Sequence, residues 1–422
     1  MSSLVISPVG ASPLRQVRRA PKETNAHRWL LVAITGLIAA AAFPSLRIDL
    51  GGLQVPLHVI PVLFALPSTF ARLNRIPSRV RATLAAFTFL FGASVLVHGE
   101  QFGDFVKVAT SAVTLVTVVG LVRSKKDFLI GVLAFGVSLM VMNLRGITGG
   151  MVEHVGYEPL RGIANKNAYS IYALPGVMLA AFVLLHFRQR RWATATLVAS
   201  ILTSTFVLFT GANRSGWGGI LVIGAMLAIQ ARRWRALTLV GGLAAASYVV
   251  FSVFGDSETF RYQAQRTTSG YGSDTLRQSL FLTAIEIGIE NPFFGIGVQE
   301  LPRELAKRTE AESDVVDPHN VVGYVAGGTG LITLFALIAL GIALCLRPTQ
   351  QMLPKLLLAH DLVRLLVVLF VLRGQFSREL LTVAAFPIAT GLALGLSLLD
   401  NDETWDLLTV KSAPRKSLKP RP

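Results

Sequence analysis

Residues 216–230 read GWGGILVIGAMLAIQ and residues 329–346 read TGLITLFALIALGIALCL, two runs without one charged side chain. A soluble helix of that length would carry polar residues at helical spacing on its solvent face. A run of about 20 apolar residues, at about 1.5 Å of helical rise per residue, instead matches the hydrocarbon thickness of a bilayer. Comparable runs recur through the chain. Of its 422 residues, 52% are hydrophobic and 15% charged, and the mean hydropathy is +0.56. The fold class expected is all-α, a polytopic membrane protein of about 12 transmembrane helices.

The hydropathy places spans at 29–46, 53–70, 82–98, 102–122, 127–144, 168–187, 192–210, 215–230, 236–254, 321–346, 355–372 and 380–399. Prolines fall inside some of them, as at Pro56, Pro61 and Pro67, which helices packed among neighbours tolerate. The net charge of +16 would suggest nucleic acid in a soluble domain. Here 25 of the 40 Lys and Arg residues sit in the two chain ends and in alternate short loops, as at Arg72–Arg81, Arg123–Lys126, Arg188–Arg191 and Arg232–Arg235. That alternation is the positive-inside pattern of membrane topology, so no nucleic-acid partner is expected.

Twelve spans with both chain ends cytoplasmic satisfy the pattern. They divide the chain into a basic N-terminus (1–28), nine helices (29–254), an extracytoplasmic loop region (255–320), three helices (321–399) and a basic tail (400–422). The first apolar run resembles a signal peptide, but the later loops alternate correctly only if it is retained as a helix. The loop region contains one amphipathic segment, 275–290, closed by Asn291-Pro292 and a turn-rich FFGIG. That helix either lies along the membrane surface or packs on the bundle.

Several basic residues fall on the wrong side of the charge rule. Arg214 occupies the short link GANRS between two spans. A charge at that depth is costly, so it marks either a functional group or an arginine that snorkels to the interface. Arg161 and Lys166, with Asn165 and Asn167, precede the sixth span. Donors ahead of a helix N-terminus suit an anionic ligand, and equally suit ordinary capping. Arg277, three residues after Asp274, fits a surface pair as well as a ligand contact. His319 lies between Asp317-Pro318 and Asn320 where the large loop re-enters the membrane. Histidine is the natural general base near neutral pH, although a solvated loop histidine is a common alternative.

Other chemistries lack a signature. Cys345 is the single cysteine and lies in an apolar run, which removes disulfide and cysteine-metal frameworks. No HExxH, P-loop or dinucleotide fingerprint occurs, so no metal or cofactor is expected. The glycines of GGTG (327–330) read as a close-packing surface within one helix. Asp104 and Lys107, one turn apart, read as a structural pair.

As an ordered set, RGIANKNA (161–168), GANRSGW (211–217), Arg277 ahead of NPFFGIG (291–297), and HNVVGYVAGGTGLITLF (319–335) resemble the O-antigen ligase/polymerase family of bacterial envelope glycan assembly. Order, spacing and helix number agree over about 160–346, whereas most of the stretch 1–140 matches in hydropathy alone. The resemblance implies a multi-pass protein of the bacterial cytoplasmic membrane, with its active site on the outer face. It implies metal-independent, inverting transfer of a glycan from an undecaprenyl diphosphate donor to a sugar hydroxyl, on lipid A-core or on another lipid-linked glycan. Arg214, Arg277 and Arg161 would bind the diphosphate, His319 would take the acceptor proton, and Asn320 would orient it. Lys166, Asn167 and Ser215 would support the site. Many members carry Ser before the arginine of the GANRS turn; Asn213 stands there in this chain, so Ser215 would supply the hydroxyl. A transporter using the same arginines is the rival from another class, but the two related halves it calls for are not visible.

Overall fold

The computed structural model describes residues 47–50, 53–56, 59–70, 72–100, 102–148, 151–152, 156–157, 166–187, 189–210, 214–231, 271–309, 316–347 and 354–399. The expected spans 29–46 and 236–254, the terminal segments 1–28 and 400–422, and Arg161 lie outside the described residues. Within them the protein is helical apart from two short antiparallel ladders. β1 (Arg47–Leu50) pairs with β2 (Leu53–Pro56), Arg47 opposite Pro56 and Leu50 opposite Leu53. β3 (Met151–Val152) pairs with β4 (Gly156–Tyr157).

Among the described residues, five helices are long and apolar enough to cross a membrane: α2 (Ser78–Val97), α3 (Gly103–Leu121), α4 (Lys125–Thr148), α5 (Lys166–His186) and α6 (Arg191–Thr210). Their exposed Phe89, Leu96, Val141 and Leu202 face outward, as lipid contact requires. With α1 (Val59–Phe70), α7 (Arg214–Ala231) and the helices below, they form the bundle of a polytopic membrane protein.

Three expected spans differ from the hydropathy reading. The span 53–70 is helical only from Val59, because residues 53–56 are consumed by the β1–β2 ladder. The span 321–346 is two helices, α10 (Val321–Thr329) and α11 (Leu331–Cys345), hinged at Gly330, whose φ is 92°. The last span is shortened to α13 (Ala385–Ser397) behind a 3-10 turn at Arg378–Leu381. α13 is buried almost throughout, with Gly391 and Gly395 set against Leu115, Val118 and Val122 of α3 and its C-terminal end. Small residues let two helix backbones approach where water offers no drive to associate.

In the loop region the amphipathic helix takes the second of its two expected placements: α8 (Tyr271–Glu290) packs on the bundle through Leu280, Ala284 and Ile287. A second, shorter amphipathic helix follows, α9 (Leu301–Arg308), which buries Leu301, Pro302, Leu305 and Ala306 and exposes Arg303 and Lys307.

The helices alternate in direction. At one end Arg79 at the start of α2 donates to the Leu346 and Arg347 carbonyls after α11, and Gln230 of α7 reaches Leu358 of α12 (Pro354–Gly374). At the other end Ser94 of α2 donates to the Phe294 carbonyl, 2.7 Å away. The first end gathers the basic loops. The second holds the N-termini of α5, α7 and α10, and with them Lys166, Asn167, Arg214, Ser215, His319 and Asn320.

Candidate functional site

The site is built around a short segment outside any helix or strand, 316–320. Its start is tied to α9 by the Val316 N–H donating to the Pro302 carbonyl at 3.1 Å. Asp317 precedes proline, which favours extended backbone, and its Oδ1 accepts the His319 N–H at 2.8 Å. His319 has φ 50°, the one residue other than glycine at positive φ among those described. The residue is half-buried and stands one position before the N-cap of α10. Asn320 then caps α10: its Oδ1 accepts from the Val322 and Gly323 N–H groups at 2.7 and 3.2 Å. Its Nδ2 donates to Gln375 Oε1 at 2.8 Å.

A charged chain runs outward from this segment. Arg378 Nε sits 2.7 Å from Asp317 Oδ2, and its guanidinium lies 5.0 Å from the centre of the Tyr324 ring. The Tyr324 hydroxyl donates to Asp104 Oδ2 at 3.4 Å, and Asp104 Oδ1 holds Lys107 at 2.6 Å. The Asp104–Lys107 pair expected one turn apart on α3 is therefore present.

Helix packing orders the arginines. α8 and α10 run in the same sense, Gly323 lying beside Phe281 and Ala284, and Ala326 beside Gly288. Arg277 is one turn before Phe281 on α8, as His319 is one turn before Gly323, so both stand at the same end of this helix pair. Arg277 is exposed there. Gly219 of α7 lies against Leu174 of α5. Arg214 and Ser215 open α7, Lys166 and Asn167 open α5, and the two N-termini consequently sit in neighbouring positions.

Beneath them, the buried Arg373 near the end of α12 donates from Nε to Ser170 Oγ of α5 at 2.9 Å. The next layer joins three helices: Asn143 of α4 donates to Thr203 and Ser204 of α6, at 3.0 and 3.1 Å, and accepts from Tyr169 of α5. A satisfied buried network of this kind fixes helix register where a half-satisfied one would be costly.

Sequence reasoning missed Arg373, Gln375 and Arg378. A signal was available, since RGQFSRE (373–379) violates the positive-inside count as Arg214 does. Among the described residues no group of three His, Cys, Asp or Glu side chains is placed to hold a metal ion.

Two further features border the site. Residues 291–297 dock into the hinge between α10 and α11: the Ile296 and Gly297 N–H groups donate to the Gly327 and Gly328 carbonyls, each at 3.0 Å, and Ile332 N–H donates to the Pro292 carbonyl. The glycines of GGTG thus serve close packing, but against this loop and at a break rather than inside one helix. An apolar cavity of about 470 Å³ lies between α2, α3, α11, α12 and α13. Val321, Val322 and Gln375 line its upper end, and the exposed Ile338, Ile342 and Val371 edge its open side.

Residues 198–338 match the family described as O-antigen ligase. That match covers 141 of the 422 residues, about a third of the chain, and shows that this segment is similar to the O-antigen ligase family. It runs from within α6 to within α11, so Arg214, Arg277, the docked loop 291–297, His319 and Asn320 all fall inside the family segment. Lys166, Asn167, Arg373, Gln375 and Arg378 fall outside it. No curated protein matches the chain.

Proposed function

We propose that the protein is a ligase-type glycosyltransferase that moves a glycan from undecaprenyl diphosphate to an acceptor sugar hydroxyl, on lipid A-core, at the outer face of the cytoplasmic membrane. His319 takes the proton from the acceptor hydroxyl as that oxygen attacks the anomeric carbon. The bond from that carbon to the diphosphate oxygen breaks, its electron pair leaving with undecaprenyl diphosphate, and the anomeric configuration inverts. Arg214, Arg277 and Arg161 neutralise the diphosphate; guanidinium groups bind phosphate oxygens in pairs, and developing charge is where preset cations help most. Asn320 holds the segment that bears His319. Lys166, Asn167 and Ser215 add donors at two helix N-termini, where backbone N–H groups also favour anions. The chemistry calls on no metal.

The observation that carries this reading is the half-buried His319 at the mouth of α10, at the bundle end where the helices opening with Arg214 and Lys166 begin. The laterally open apolar cavity supports it as a place for the polyprenyl chain. Polymerisation, with a second lipid-linked glycan as acceptor, uses the same chemistry and is the alternative.

Protein in lipid nanodiscs, a defined undecaprenyl-diphosphate-linked glycan and a panel of acceptors test the assignment. Wild type should form the glycosidic product, and His319→Ala and Arg214→Ala should each lose about 100-fold or more in turnover. Full turnover by His319→Ala would sink the base assignment. Movement of donor between leaflets without any product would favour a transporter.

A further inference from the structure

The base assigned to His319 has an unusual backbone, and its surroundings explain how that backbone is kept. A residue other than glycine at φ 50° persists only where its environment over-determines it. Two tethers do so here, and both lead to one short connection. Asn320 is held by Gln375, and Asp317, which accepts the His319 N–H, is held by Arg378. Residues 375–378 lie between α12 and α13, outside the segment that matches the family.

We infer that Arg378 is a positioning residue, which sets the reactive geometry of His319 through Asp317. The side chains of the Asp317–Arg378 pair are 28% and 32% exposed. A pair that accessible adds little to folding stability. What it does provide is direction. One carboxylate oxygen faces the His319 N–H and the other faces Arg378 Nε, so the guanidinium fixes the rotation of the carboxylate that holds the imidazole-bearing backbone. Arg378 is itself fixed by stacking on Tyr324, whose hydroxyl is bound to Asp104. Lysine at 378 would keep the charge but lose the planar stacking and the directed Nε contact.

This inference rests on the base assignment, and the test separates the two. In nanodiscs with the lipid-linked donor that wild type turns over, Arg378→Ala should lower kcat about 100-fold, the order expected for a misplaced catalytic group, while KM for donor changes less than about threefold. Arg378→Lys should recover part of the kcat. In a His319→Ala background, Arg378→Ala should have no further effect, since residues acting as one unit are not additive. Thermal unfolding in the same discs accompanies each variant, and if Arg378→Ala does not fold, Arg378→Lys and Arg378→Gln carry the measurement. Wild-type kcat in Arg378→Ala, or an equal loss in the presence and absence of His319, would overturn the inference and leave the base assignment standing. A fully active His319→Ala would overturn both.

Discussion

Gly295 approaches Gly327 so closely that a methyl group at 295 would lie 2.5 Å from the Gly327 carbonyl oxygen. Gly295 also has φ 65°, so an added side chain meets both a steric wall and an unfavourable backbone. The wall is backbone, which cannot step aside as a side chain could. This contact seats the 291–297 loop in the hinge of α10 and α11.

Gly295→Ala should therefore cost about 3 kcal/mol, at the upper end of ordinary single substitutions. Gly99, at φ 62° with nothing within 4 Å of an added Cβ, is the internal control. Gly99→Ala should cost about 1 kcal/mol, from backbone strain alone. Thermal midpoints of the two purified variants, compared with wild type, give the contrast directly.

Asn320 performs two tasks that substitution can divide. Asn320→Asp keeps an oxygen for the Val322 and Gly323 N–H groups but cannot donate to Gln375. It should remain within about 1 kcal/mol of wild-type stability, the worth of one hydrogen bond, while losing turnover. Asn320→Ala forfeits the cap as well, at about 1 kcal/mol more. Equal activity in Gln375→Leu and wild type would show that the Gln375 tether is dispensable.

Arg308 grips Glu290 through two hydrogen bonds of 3.0 and 2.7 Å and Glu304 through a third of 2.8 Å. The guanidinium holds the Glu290 carboxyl below its ordinary value of 4.5. A lowered folded value means that the stabilisation is present above the ordinary glutamate range and is lost as pH falls through the folded value. Wild type should thus unfold at a higher temperature than Glu290→Gln at about pH 7, and the two curves should converge once the pH has fallen below the lowered folded value. The difference at neutral pH should shrink in high salt because the carboxylate is exposed.

The cavity offers a handle on the lipid chain. A Cβ at Gly341, which lines it, would meet only Val367 at 3.8 Å, leaving room for a larger side chain. Gly341→Leu should displace two or three methylenes of bound chain, at about 0.8 kcal/mol each, and raise donor KM about tenfold or more with kcat little changed. A short-chain donor analogue should be affected much less, and identical KM changes for both donors would rule the cavity out as the chain site.

Much of the architecture is legible in the sequence. The apolar runs at 103–121, 166–186 and 191–210 are helices within a few residues of where hydropathy puts them, because desolvating a backbone leaves the helix as its local solution. Arg214 stands out because a charge is conspicuous among apolar neighbours. Arg373 and Arg378 do not, since a short polar stretch between two spans looks like an ordinary loop until Ser170 and Asp317 are seen against it.

Composition and charge periodicity by themselves determined a helical membrane protein with alternating helices and a cluster of misplaced cations, because bilayer thickness and backbone satisfaction act on each segment separately. Only the tertiary structure decided that 321–346 breaks at Gly330, that FFGIG fills the break, and that Gln375 and Arg378 hold the His319 segment. Those features depend on partners that lie far apart along the chain and meet only when the helices pack. Hydropathy is blind to them, since a hinged helix and a straight one have the same apolar composition.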